Sequence, residues 1–125
     1  MMRFTFLLFL LPLLAFKAGQ DLTPITKAIS NGSATTLGQY FDDNVEIALL
    51  NEEDVYDKSQ AVKKLEQFFE ENQPKAFSQV HEGSSKGNGS KYCIGNLKTN
   101  SEDFRVYMFI DISADQYKIQ ELRIE

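Results

Sequence analysis

One nine-residue run constrains this chain more than any other feature: Phe104-Arg105-Val106-Tyr107-Met108-Phe109-Ile110-Asp111-Ile112. Phe104, Val106, Met108, Ile110 and Ile112 recur at every second position, and Tyr107 and Phe109 put aromatic surface on the alternate positions. Period two marks a β-strand, because successive side chains leave a strand on opposite faces. A strand apolar on both faces belongs at the centre of a sheet, covered on both sides. The remaining segments are read as neighbours, lids and turns around it.

Three more strand patterns adjoin the run. Residues 76–82 lead into a turn rich in glycine and serine at 83–90, and residues 91–98 return from it. After a polar turn comes the central run, then a turn at 113–116 and a last strand at 117–124. Its Ile119 falls on one face, Leu122 and Ile124 on the other. Four strand patterns joined by three turns predict an antiparallel meander.

Upstream, Thr23 and Pro24 suit the start of a helix, and Ile25, Ala28 and Ile29 share its face. Asn31-Gly32 ends it, and Ser33 caps a second short helix with Leu37, Tyr40 and Phe41 on one stripe. Val45, Ile47 and Leu49 alternate as a strand. Asn51-Glu52-Glu53-Asp54 reads as a polar turn and Val55-Tyr56 as a short extended piece. Either Asp57 or Ser59 caps a third helix whose buried stripe is Ala61, Leu65, Phe68, Phe69 and Asn72. The expected class is α+β: three N-terminal helices packed on a curved antiparallel sheet. Such a sheet twists, and helices across its hollow leave a concave ligand site. Either the Met108 row or the Tyr107 row faces the helices. The other faces outward, and an outward apolar row invites a homodimer.

Met1-Met2-Arg3, the apolar stretch from Phe4 to Phe16, and the polar return at Lys17 have the layout of a secretory signal. The stretch is short for a membrane span, which needs about 20 apolar residues. Residues 1–18 are therefore assigned as a signal peptide cleaved after Ala18, and residues 21–125 as a single domain, periplasmic or secreted. No stable membrane insertion is expected after cleavage. Without Arg3 and Lys17 the chain keeps 11 basic and 18 acidic residues, net −7. That balance repels nucleic acid and anionic membranes. The single cysteine, Cys93, cannot form an internal disulfide, so the core alone must hold the domain. Cys93 is read as buried filler, with an intermolecular bridge or reactive thiol as the alternative.

His81 is the only histidine, and it alternates with Phe77 and Gln79, so all three are expected on one face. On a concave face it would be a pocket base or donor. Asp111 shares the face of Tyr107 and Phe109, where a buried carboxylate would have a raised pKa and act with His81. Tyr40, Tyr56, Tyr92 and Tyr107 complete the set of pocket candidates. Tyrosines in such folds mostly fill core, with the hydroxyl reaching a partner. No residue is assigned as catalytic. One His, one Cys and scattered carboxylates give no metal-ligand spacing, and the glycine-rich turn lacks phosphate-loop spacing, so no metal and no cofactor are expected.

Tyr40-Phe41-Asp42 before Val45-Glu46-Ile47, then Tyr56-Asp57-Lys58-Ser59-Gln60-Ala61, Phe68-Phe69-Glu70-Glu71-Asn72, His81-Glu82-Gly83, Tyr92-Cys93-Ile94-Gly95 and Ile119-Gln120-Glu121-Leu122-Arg123-Ile124 carry a resemblance. The chain resembles a small exported bacterial family of domains of unknown function, uncharacterised family 4783. That family is itself similar to the nuclear transport factor two-like, or cystatin-like, superfamily. The resemblance covers Asp21 to Glu125 and implies a cone of curved antiparallel sheet and three helices. Enzymes of the superfamily place an Asp–Tyr or Asp–His pair inside the cone, and no such pair maps onto positions here. The expected function is a non-catalytic exported module that binds a small apolar ligand or a protein partner in its cone. The alternatives are an envelope assembly dimer, or a small isomerase- or hydrolase-like enzyme using His81.

Overall fold

The computed structural model describes residues 21–125 except 86, 88 and 115; the signal-peptide assignment to residues 1–18 lies outside the described residues. The order is α1 (Thr23–Ser30), α2 (Ala34–Gly38), β1 (Phe41–Leu49), β2 (Glu52–Asp57), α3 (Lys58–Glu71), β3 (Pro74–Ser84), β4 (Ser90–Thr99), β5 (Asp103–Asp111) and β6 (Lys118–Ile124). The α+β class holds. The helices are not all N-terminal, however: α3 follows β1 and β2. The six strands form one sheet in the order β2-β1-β6-β5-β4-β3. Pairing is antiparallel throughout the β3–β6 meander, and β1 joins β6 in parallel.

Local chemistry explains the helix starts. Asp57, not Ser59, caps α3, its carboxylate accepting from the Gln60 N–H at 2.8 Å. Ser33 caps α2 and accepts from the Thr36 N–H at 3.3 Å. Thr23 is not the cap of α1. That position belongs to Leu22, whose side chain cannot cap, and the Asp21 carboxylate takes the Thr23 N–H at 2.9 Å instead. Gly32 closes α1 at φ +66°, a left-handed conformation open to glycine at little cost.

β5 lies inside the sheet, between β6 and β4. Phe104, Val106, Met108 and Ile110 face inward and are buried with Ile25, Ile29, Leu37, Leu65, Phe68 and Phe69 of the helices. Tyr107 and Phe109 face outward and are half-buried. The expected cover on both sides of β5 is thus present on one side only. An antiparallel sheet tolerates this because its outward row can meet water.

Two β-bulges overturn expectations of face. On β6, Ile119 pairs with Ile110 and Glu121 with Phe109, which leaves Gln120 as an extra residue. The insertion brings Ile119 to the same buried face as Leu122 and Ile124, where a regular strand would separate them. On β3, Gln79 pairs with Gly95 but His81 pairs with Ile94, so Val80 is extra. Phe77 and Gln79 therefore face inward and His81 outward, and the expected trio on one face does not exist. Phe41, read as part of the second helix, instead opens β1 with Asp42, Asp43 and Asn44. Of Asn51–Asp54 only Asn51 lies in the turn, because β2 begins at Glu52. The hairpin turns at Leu50, which takes φ 55°.

Candidate functional site

The pocket candidates do not converge. His81 is exposed on the outer face, its Nε2 3.1 Å from the Tyr92 hydroxyl, with ring centroids 5.4 Å apart. Tyr107 shares that face and is half-buried. Burial, and secondarily the Glu121 carboxylate, raise its phenol pKa. Asp111 sits at the strand end and accepts from the Ser113 hydroxyl at 2.6 Å and the Ser113 N–H at 2.9 Å. Those hydrogen bonds hold its carboxyl below the ordinary range, the reverse of the raised value a buried general base would need. Tyr40 stands at the α2–β1 junction, packed against the core. Tyr56 lies on β2 near the Lys64 ammonium, 5.8 Å from its ring centroid.

The inner face of the sheet is covered by packed side chains. Cys93, Leu97, Val106, Met108, Ile110, Ile119 and Leu122 are each 0% exposed. Described surface grooves of about 300, 410, 440 and 640 Å³ run along α2, α3 and the β2 hairpin. Tyr56 lines the 440 Å³ groove with Asp54, Gln60 and Lys63.

A different set of inward-facing polar groups meets where β3 ends, β4 begins and β6 begins, beside the start of α1. The Val80 bulge is responsible. Residues three apart fall on opposite faces of a regular strand, but the extra residue puts Gln79 and Glu82 on the same side. Gln79 donates to Glu82 Oε2 at 2.8 Å, and Lys91 Nζ donates to Glu82 Oε1 at 3.1 Å. The Lys91 side chain is 13% exposed and that of Glu82 32%. Glu82 pairs across the ladder with Cys93, a free thiol with no exposure. Tyr117, the residue before β6, is close enough to Asp21 and Glu82 for their charges to add to burial in raising its phenol pKa. Its hydroxyl is buried and has no hydrogen-bond partner among the described residues. A buried hydroxyl left unmatched costs about 1–3 kcal/mol.

Cys93 is not a nucleophile in this setting. Burial, helped by Glu82, pushes its thiol up to about 11, so it stays protonated at neutral pH. This has a consequence for stability. The unfolded thiol ionises near its ordinary value of 9.0 while the folded one holds its proton. The folded state is therefore at full advantage below pH 9 and loses stability as pH rises toward 11. In reducing buffer, urea midpoints are expected to fall above pH 9, and Cys93→Ala is expected to flatten the fall between pH 9 and 10. An equal slope in both proteins would contradict the assignment.

Sequence reading missed Glu82, Lys91 and Tyr117. Glu82 was hidden by the bulge, which no periodicity announces. Lys91 sits two residues before Cys93 on the same strand side, so a lysine in phase with a buried cysteine was the available signal.

Comparison with known proteins follows the same lines. A family model described as a domain of unknown function (DUF4783) matches residues 22–125. The crystal structure of a DUF4783 family protein from Bacteroides ovatus is 30% identical and superposes with a TM-score of 0.75, over 81% of this chain and 90% of that one. One from Bacteroides uniformis is 27% identical at a TM-score of 0.76, covering 82% and 93%. At 11% identity and a TM-score of 0.55, an NTF2-like protein of unknown function from Cytophaga hutchinsonii shares the fold over 86% of this chain and 88% of its own. No curated protein matches.

Proposed function

The chain belongs to the DUF4783 family of domains of unknown function, and on that premise we propose that it is an exported, non-catalytic module that binds a small ligand at the hairpin end of its cone. The ligand has an apolar body and at least one hydrogen-bond acceptor. The Tyr117 hydroxyl carries the proposal: a buried donor with no partner among the described residues, placed near the Glu82–Lys91 pair. The ligand's acceptor receives a hydrogen bond from the phenol O–H, and the carboxylate and ammonium fix its polar end. Acid–base catalysis is disfavoured because the thiol there is held protonated and the one histidine is on the other face of the sheet.

Tyr117→Phe tests this. The hydroxyl has no described bond to lose, so unfolding free energy is expected to stay level or rise by about 1 kcal/mol. Native mass spectrometry of protein purified from cells expressing the whole 125-residue chain is expected to show a bound small molecule, lost from the Tyr117→Phe variant. A variant that is destabilised while retaining the same bound mass would make the hydroxyl structural and end the proposal.

A further inference from the structure

The outer face of the sheet is divided by chemistry. Strands β4 and β5 present Tyr92, Ile94, Tyr107 and Phe109, all half-buried, in two adjoining cross-strand pairs: Ile94 opposite Tyr107, Tyr92 opposite Phe109. Each pair continues onto β6 at a charged residue, Tyr107 opposite Arg123 and Phe109 opposite Glu121. The ladder then reaches β1, where Ala48 stands opposite Arg123 and Glu46 opposite Glu121. An alanine at 48 lets the guanidinium reach across β1 to Glu53 of β2, at 2.7 Å.

Arg123 also binds Glu121 at 2.6 Å and lies 3.9 Å from Glu46 and 4.0 Å from Glu125. Four carboxylates surround one guanidinium. The surplus is felt inside the cluster: the Glu53 carboxylate as hydrogen-bond acceptor, ahead of burial and the Glu121 charge, favours the protonated form of Glu46 and raises its pKa. Arg105, exposed beside Glu125 on the same face, offsets part of it. An aromatic half next to a carboxylate-rich half is a surface with a specific complement.

We propose that this outer face docks a partner polypeptide that presents an aromatic or aliphatic side chain beside a lysine or arginine. The apolar side chain covers Ile94, Tyr107 and Phe109, and the basic group docks beside Arg123 against the carboxylates of Glu46, Glu53 and Glu121. Charge chooses the occupant. This chain is acidic, net −5, so a second copy brings charge of the same sign, while a basic partner neutralises the surplus. The site lies on the opposite side of the sheet from Tyr117, so the two proposals stand or fall separately.

The probe is a synthetic decapeptide alternating lysine with phenylalanine, with the glutamate-for-lysine peptide as its control. Amide shifts are followed on protein purified from cells expressing the whole chain. The lysine peptide is expected to move Ile94, Tyr107, Phe109 and Glu121, and to bind more weakly as salt rises. The glutamate peptide leaves them still. Tyr107→Glu is expected to weaken binding at least tenfold, and Glu46→Gln with Glu121→Gln to reduce the salt dependence. Equal binding of both peptides, no binding by either, or shifts confined to the Tyr117 end would each overturn the proposal. So would movement of the same amides on concentrating the protein alone, which would give the face to a second copy.

Discussion

Replacing Phe41 by alanine is expected to remove about 3–5 kcal/mol of folding stability, the range for a buried aromatic ring truncated in a core. Phe41 is 2% exposed and opens β1 where α2 ends. It stands opposite Ile119 in the parallel β1–β6 ladder, and the neighbouring Tyr40 carbonyl accepts from the Ile119 N–H at 2.6 Å. The ring thus fills the seam that attaches the β1–β2 hairpin to the meander. Its loss leaves a void that three separate elements would have to collapse into, and packed interiors relax only in part. A domain of about 100 residues loses roughly 4–8 °C per kcal/mol, so melting is expected to fall by about 12 °C or more. Urea titration followed by circular dichroism and by tyrosine fluorescence measures it. A cost under about 1 kcal/mol would mean that the seam does not depend on Phe41, against the packing described.

The second large effect is expected at Gly95. A Cβ added there would run into the ring of Phe77 and stand 2.7 Å from the Ser78 carbonyl oxygen. The ring can turn aside, but the carbonyl belongs to the backbone of β3 and cannot. Gly95→Val must therefore push β3 off β4. Strand propensity favours valine over glycine by up to about 1 kcal/mol, and a clash with backbone outweighs it. The expected net loss is about 3 kcal/mol, at the upper end for overpacked cores. Adding Phe77→Ala relieves the ring contact and leaves the carbonyl contact. In a double-mutant cycle the pair should therefore recover only part of the Gly95→Val loss, once the cost of Phe77→Ala alone is subtracted. Full recovery would show that the ring alone forbids a side chain at 95.

Both residues show how far pattern reading reaches. Gly95 sits in a strand that alternation located correctly, yet nothing local says that its missing side chain is filled by a phenylalanine from the next strand. Phe41 was placed on a helical stripe because Leu37, Tyr40 and Phe41 fit period 3.6. The three-residue spacing was real, but only Leu37 uses it: α2 ends at Gly38. Ser33 was legible as a cap, and Asp57 as one of two candidates, because a cap is a contact between residues three apart. The site was hardly legible. His81 drew attention as the only histidine, whereas the bulge at Val80 turned it outward and turned Glu82 in.

From its order of residues alone the chain determined the α+β class, the meander, the interior place of the strand that carries Phe104, the α1 end at Asn31-Gly32 and the Ser33 cap. Each of these rests on interactions between residues near in sequence, or on a period that every turn of a helix or pleat of a strand repeats. Tertiary structure alone decided the parallel contact of β1 with β6, the bulges at Val80 and Gln120, and hence which side of the sheet each polar group meets. A bulge depends on how two strands far apart in the chain settle their registers against a shared core. One residue of slip reverses every face beyond it, and no local pattern records that choice.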